Sequence, residues 1–414
     1  MAKIQLAVIF GGRACEHDVS VITAVQAMSA ADKNKYDIIP LYICKDGEWY
    51  TGEPLFDIKT FEHFSSKIDG VERVLPDITA NNGFIFDYPK QKLFAKPRTL
   101  AKIDVAMPIF HGMNGEDGTV QGMLELMNVP YTSAGLVGSS VGMDKIAQKM
   151  LYKGCGFPIL DFLWYTRDAW RGNPDRILDE ITEKLGTEIF AKPANLGSSI
   201  GITKATSRET LREAMAVAFS YDRRVIVEPA VNKPLEINCS VLGFGDSVES
   251  SPCEAPVSWQ EFLTFDEKYL ASSGNKSSGG MANLRRQIPA PISDDMTKRI
   301  QTLSLDIFGA LDCKGVVRID YMITPATNEL FVNEINTIPG SLSFYLWEAK
   351  GVPFVKLIDR MVEAALDAHK QKNESSFAFE SPIIKQFGGV KGKSSGKSGG
   401  GKTGGQAGLL KGGA

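Results

Sequence analysis

Residues 315–340 read GVVRIDYMITPATNELFVNEINTIPG. Two apolar-rich runs, Val316–Met322 and Leu330–Ile335, flank the turn-forming segment Thr324-Pro325-Ala326-Thr327-Asn328, and the pattern predicts a β-hairpin. Arg318 and Asp320 are two apart and so share a face of the first strand; Glu334 and Asn336 share a face of the second. If the register brings those faces together, one patch carries two carboxylates, an amide oxygen and a guanidinium. Hard oxygen donors on a rigid sheet suit Mg²⁺, which keeps several waters and shares itself with nucleotide phosphates. The competing reading is an exposed strand face with a salt bridge.

Around this stretch the composition is that of an ordinary globular protein. The chain has 414 residues, 43% hydrophobic and 23% charged, enough to bury a large core in two or three units. A net charge of −3 gives no electrostatic argument for nucleic acid or an anionic membrane. Cys15, Cys44, Cys155, Cys239, Cys253 and Cys313 are scattered without metal-ligand spacing, so a reduced, cytoplasmic chain is expected. Neither a signal-peptide pattern nor an apolar run long enough to span a bilayer is present.

Upstream, Ile4–Phe10 has the continuous apolar character of a buried parallel strand. It stops at Gly11-Gly12, and a helix is expected from near Glu16 to about Ala30. This arrangement aims backbone N–H groups at the edge of a sheet where small ligands bind. Tyr36–Cys44 predicts the next strand, and residues 46–100 read as irregular with a small edge hairpin. Val105–Phe110 is another buried strand, opening into the Gly-rich acidic loop His111–Gly118 and a helix over Thr119–Met127. His111 is either a substrate-site residue or a loop-structuring hydrogen bonder. A helix from about Ser139 is expected to carry Met143-Asp144-Lys145.

Ile189–Lys192 predicts a short strand ending in a lysine, followed by the small-residue loop Pro193–Gly201. Such a loop lets the backbone approach phosphate oxygens, with Lys192 as a point charge; an ordinary tight turn is the alternative. Ser207 is a candidate N-cap for a helix reaching Phe219, and Val225–Glu228 and Leu235–Leu242 read as strands. Residues 258–288 form a long polar loop of the kind used as an active-site lid. Helices are expected over Ser293–Leu311 and Phe354–His369. From Gly388 to Ala414, Gly, Lys and Ser dominate and disorder is expected. Gly396–Thr403 matches the P-loop pattern in letters but lacks the strand and helix that a working P-loop needs.

Seven motifs in order, VIFGGRACEHDVS (8–20), HGMNGEDGTVQGMLE (111–125), MDK (143–145), AKPANLGSSIG (191–201), EKY (267–269), RIDY (318–321) and NEINTIPG (333–340), resemble the D-alanine–D-alanine ligases of the ATP-grasp superfamily. The resemblance covers about the first 370 residues. It implies an α/β and α+β fold, with a Rossmann-like pre-ATP-grasp domain followed by a two-subdomain ATP-grasp fold. The divisions expected are 1–142, then 143–234 and 235–373 with the lid at 258–288, and a tail over 374–414. The implied activity is ATP-dependent joining of two D-alanines for peptidoglycan synthesis.

Residue roles follow from the same resemblance. Lys145, Lys192, Ser198, Ser199 and Lys268 would contact ATP phosphates, Glu228 would mark the adenine hinge, and Glu236 would hold the ribose. Asp320, Glu334 and Asn336 would ligate two Mg²⁺ ions, or Mn²⁺ in their place. Glu16 would hold the ammonium of the first D-alanine within a triad including Ser198 and Tyr269. His111, Arg318, Tyr345 and Leu346 would line the substrate site. Arg318 and the Gly340 N–H would stabilise the oxyanion. A homodimer is implied, with no nucleic-acid or membrane partner.

Three positions depart from the family pattern. Tyr345 stands where a serine commonly binds the acceptor's carboxylate, Pro229 removes an N–H beside Glu228, and Ser133 replaces a glycine. Tyr269 favours D-alanine as acceptor. The alternatives are a ligase using D-serine or another acceptor, and an ATP-binding regulatory protein without turnover.

Overall fold

The apolar run at the N-terminus becomes β1 (Ile4–Gly11), almost wholly buried. In this computed structural model, residues 2–88, 98–256, 286–376 and 383 are described. β1 pairs in parallel with β2 (Tyr36–Ile43) on one side and β7 (Val105–Ile109) on the other. Such strands are shielded on both faces, which is why they read as unbroken apolar runs. Between β2 and β7 lie β3 (Trp49–Thr51), β4 (Glu72–Pro76), β5 (Phe84–Asp87) and β6 (Thr99–Lys102). They extend the sheet antiparallel, in the order β6-β5-β4-β3-β2-β1-β7. The expectation of irregular chain with one small hairpin over 46–100 is therefore corrected. Strands of three to five residues carry too few alternations to register as a pattern.

Helix α1 (His17–Ala30) covers the sheet with Val21, Ala24, Ala27 and Met28. After α2 (Thr119–Met127), the expected single helix through Asp144 is instead two, α3 (Leu136–Met143) and α4 (Lys145–Gly154). Asp144 leaves helical geometry at φ −89°, ψ 102° and caps α4. Its Oδ1 accepts the N–H groups of Ile146 and Ala147 at 3.1 and 3.0 Å.

A second sheet has β8 (Leu163–Thr166), β9 (Ile189–Pro193), β10 (Thr203–Ala205) and β11 (Arg224–Pro229), in the antiparallel order β10-β9-β11-β8. Following β8 comes the short α5 (Arg167–Gly172); α6 (Pro174–Leu185) and α7 (Arg208–Tyr221) then pack Ile177, Ile181, Leu211 and Met215 onto this sheet. Ser207 caps α7 in a reciprocal box with Thr210. The third sheet comprises β12 (Leu235–Phe244), β13 (Ser247–Ser250), β14 (Gly315–Ile323) and β15 (Leu330–Asn336), ordered β13-β12-β14-β15. Its back is covered by α8 (Asp294–Ala310) through Ile300, Ile307 and Phe308. A turn and α9 (Phe344–Ala349) lead to α10 (Phe354–Asn373), whose Leu357, Ile358, Met361 and Val362 join the core of the first sheet. The chain thus returns to its beginning. The α/β first sheet and the two antiparallel α+β units bear out the expected fold class. Among the described residues, no helix is long and apolar enough to cross a membrane.

Candidate active site

The 315–340 hairpin forms as β14 and β15, with Arg318 opposite Asn336 and Asp320 opposite Glu334. The two polar faces are therefore one face. A register shift follows between Asp320 and Tyr321, a bulge of the sort that re-aims side chains beside a site. Arg318 Nε and Nη2 donate to the two oxygens of Asp320, each at 2.7 Å, and Asn336 Nδ2 donates to Asp320 Oδ2 at 2.9 Å. The salt bridge of the competing reading is thus real, but it is one part of a larger cluster. Burial pushes the Asp320 carboxyl up, with Glu334 adding to it and Arg318 opposing. Burial also acts to raise Glu334, but Lys145, Lys192 and Arg318 outweigh it and hold that group below its ordinary value. Glu236 lies on β12, two residues from Asn238, which faces Asp320 across the strands. Its carboxyl is raised by burial and by the nearby charges of Asp320 and Glu334.

This donor set fits Mg²⁺. Among the described residues, no three His, Cys, Asp or Glu side chains converge as a self-sufficient metal cage. Mg²⁺ does not need one, because it binds through one or two carboxylates and completes its shell with water and phosphate oxygens. Asp320 and Glu334 supply two carboxylates that raise each other's energy, and turning the Asn336 amide presents its oxygen.

Two lysines converge from separate elements. Lys145 opens α4; its Nζ lies 3.6 Å from Glu334 Oε2 and donates to the Leu196 carbonyl at 2.8 Å. Lys192 on β9 contacts Glu228 Oε2 at 2.6 Å. The other oxygen of Glu228 takes Lys149, also at 2.6 Å. No motif singles out Lys149, although its spacing of four from Lys145 places both on one side of α4. Burial acts to raise Glu228, yet the two lysines overcome it and bring it to about 2. Beside Glu228, Pro229 has no N–H and the Ala230 N–H is spent on the Glu188 carbonyl at 2.8 Å.

Glu16 immediately precedes α1 and meets the 194–201 loop, where Ser198 Oγ donates to its Oε1. The carboxylate is wedged between two glycines. A Cβ on Gly112 would fall 2.3 Å from Oε2, and one on Gly197 would fall 2.7 Å from Oε1. Only glycine leaves that space. Burial raises the Glu16 carboxyl, while Ser198 and Lys145 oppose the rise. Ser198 and Ser199 hold φ of 50° and 56°, a loop shaped by its surroundings. Tyr269 and Lys268, with nearly all of the 258–288 loop and the 388–414 tail, lie outside the described residues.

His111 is buried, with Nε2 3.2 Å from Thr23 Oγ1, and burial lowers its pKa to about 4. It is a hydrogen-bonding group of the interior, next to the turn carrying Gly340. Tyr345 and Leu346 are buried together in a small cluster with Ile288. The Tyr345 hydroxyl donates to Glu254 Oε1 at 3.0 Å, and the Arg286 guanidinium stacks 3.8 Å above its ring. A phenol has one proton, and here Glu254 takes it. Burial and then Glu254 push the phenol up to about 12. The third departure is also placed, since Ser133 Oγ accepts from Gln121 Nε2 at 3.3 Å.

The geometry therefore gathers an acidic strand pair, lysines from two elements and a Glu16–Ser198 pair around one sheet. Comparison with known proteins points the same way. The family described as D-ala D-ala ligase N-terminus matches residues 5–134, and D-ala D-ala ligase C-terminus matches residues 151–363. The D-alanine–D-alanine ligase of Thermosipho africanus is 38% identical over 381 residues, covering 92% of this chain and 98% of that protein. That of Solibacter usitatus is 37% identical over 380 residues, covering 91% and 99%. Among solved structures, the D-alanine–D-alanine ligase from Coxiella burnetii superposes with a TM-score of 0.72 at 26% identity, covering 93% of this chain and 99% of that one. The VanG D-Ala:D-Ser ligase from Enterococcus faecalis gives 0.71 at 29% identity, covering 88% and 100%. With both halves of the family pattern in order and the strand pair in register, this chain belongs to the D-alanine–D-alanine ligase family.

Proposed function

We propose that the chain joins two D-alanines into D-alanyl-D-alanine, with ATP as co-substrate, for peptidoglycan precursor synthesis. The observation that carries this reading is the cross-strand pairing of Asp320 with Glu334, with Lys145 3.6 Å from the latter. A carboxylate is a poor electrophile, so the first D-alanine must be activated. Its carboxylate oxygen attacks the γ-phosphorus, ADP leaves, and an acyl phosphate results. The amine of the second D-alanine then attacks the acyl carbon, inorganic phosphate leaves, and the amine's extra proton is lost.

The chain's own residues position and neutralise charge, the main work in phosphoryl transfer. Lys145 and Lys192 hold the phosphates; Lys149 keeps Glu228 neutralised when Lys192 turns to ATP. Glu236 serves the ribose, and the backbone beyond Pro229 serves adenine. Glu16, fixed by Ser198, takes the ammonium of the first D-alanine. Arg318 and the Gly340 N–H receive the tetrahedral oxyanion. Asp320, Glu334 and Asn336 would hold Mg²⁺, two ions with Mn²⁺ as a substitute, supplying charge neutralisation at the phosphates. Residues 1–142, 143–234 and 235–373 are the working units of this reading, in a cytoplasmic homodimer.

One observation favours a second acceptor. Tyr345 replaces a serine and its proton is committed to Glu254, so the acceptor pocket differs in both size and donors. A D-Ala–D-Ser ligase is the runner-up. The test is ADP release with Mg-ATP and D-alanine, D-serine, D-lactate or L-alanine, products being identified by mass. D-alanine alone should yield ADP and D-alanyl-D-alanine. Turnover only when D-serine is added would shift the assignment to the runner-up, and no ADP with any of them would remove the ligase reading.

A further inference from the structure

The chain between β15 and α9 turns back on itself through Ser341, Leu342 and Ser343, with φ of 49°, 53° and 50°. Three successive non-glycine residues in left-handed geometry persist only where their surroundings hold them. The grips on this turn come from the first sheet's unit. Glu116 Oε1 accepts the Ile338 N–H at 3.1 Å. Thr23 on α1 accepts the Ser341 N–H at 3.2 Å through Oγ1. The same oxygen lies 3.2 Å from His111 Nε2, and His111 also hydrogen-bonds the backbone of Ile338.

Burial keeps His111 neutral, so its ring has one donor and one acceptor. One hydrogen bond joins Nε2 to the Thr23 hydroxyl, and the Thr23 oxygen also accepts the Ser341 N–H. Glu116 at Ile338 and Thr23 at Ser341 thus grip the chain on either side of Pro339 and Gly340. A Cβ built on Gly340 meets nothing within 4 Å, so this residue faces open space and not packed core.

We infer that Thr23 is a positioning residue, whose hydroxyl fixes the turn that aims the Gly340 N–H at the reacting acyl oxygen. This rests on the ligase reading above. Thr23 is buried and does its work through Ser341 and His111 without touching a substrate.

The experiment compares wild type, Thr23→Val and Thr23→Ser for melting temperature, ATP KM, kcat and ADP released per dipeptide formed. Valine keeps the shape and loses the hydroxyl; serine keeps the hydroxyl. Thr23→Val should lower kcat about 10- to 100-fold, less than the loss of an oxyanion donor outright. Its ATP KM should stay within about twofold, and ADP per dipeptide should rise above one as stranded acyl phosphate hydrolyses. Thr23→Ser should return both to near wild type. Should Thr23→Val not fold, Thr23→Ala removes the hydroxyl without an added methyl. Wild-type kcat and stoichiometry in the folded hydroxyl-free variant would overturn the inference. So would a fall in rate that serine does not restore, or one that tracks melting temperature alone. Absence of dipeptide from wild type would instead refute the ligase reading.

Discussion

Glu16 shows how a single side chain acquires a role through what surrounds it. Its carboxylate is pressed between Gly112 and Gly197 and held by Ser198, three residues from two loops distant in sequence. A fixed, half-desolvated carboxylate is a ready partner for an ammonium ion, since charge-assisted hydrogen bonds gain strength where water is scarce. Glu16→Gln keeps the shape and loses the charge. It should raise the KM for the first D-alanine about tenfold or more, the factor that follows from losing about 1.5 kcal/mol of a charged hydrogen bond. Nucleotide affinity, measured by titration calorimetry, should stay as in wild type. Unchanged dipeptide synthesis would take Glu16 out of the site. The buried cluster around Glu228 follows a different logic: one carboxylate faces two lysines, each of its oxygens 2.6 Å from one ammonium, so either lysine alone can balance its charge.

At the scale of elements, the break between α3 and α4 sets the direction of Lys145. Asp144 caps α4 with one oxygen and pairs with Arg224 of β11 through the other, tying the helix to the second sheet. Lys145 therefore leaves the first turn of a helix whose start is anchored twice. Asp144→Ala should destabilise the protein by about 1–2 kcal/mol from the cap alone, with a further loss from Arg224. Asp144→Asn keeps a capping oxygen and should recover the larger share. Chemical denaturation of both variants measures this; equal stabilities for the two would show that the cap contributes nothing. The Gly340 turn is the opposite kind of element. Its three left-handed residues cost on the order of 1 kcal/mol each, and Thr23, Glu116 and the buried Leu342 offset that cost.

Across the whole molecule, the closing helix α10 packs into the core that α1 and β1 begin, so the turn after β15 is fixed by residues from the opposite end of the chain. The family match ends at residue 363, and among the described residues the core clusters end at Ala365. A chain lacking residues 388–414 should therefore keep its kcat/KM and melting temperature, and DNA retention should not differ between the two forms. A loss of activity or of DNA binding on truncation would give the tail, and its P-loop lookalike, a function.

The hairpin, its two polar faces, the ordered motifs and the buried parallel strands are legible in the order of residues, because these depend on spacing within one element. Period-two alternation places Arg318 beside Asp320 and Glu334 beside Asn336 whatever lies around them. Ser207 announces its helix for the same local reason. The remaining features arise where distant elements meet. The register that sets Asp320 against Glu334, the pairing of Lys149 with Glu228, and the commitment of the Tyr345 proton to Glu254 each join residues from different elements. So does the link from Thr23 to Ser341, 318 positions apart. Hydrogen bonds and ion pairs act over a few ångströms of space, and separation along the chain carries no record of which groups folding will bring within that reach.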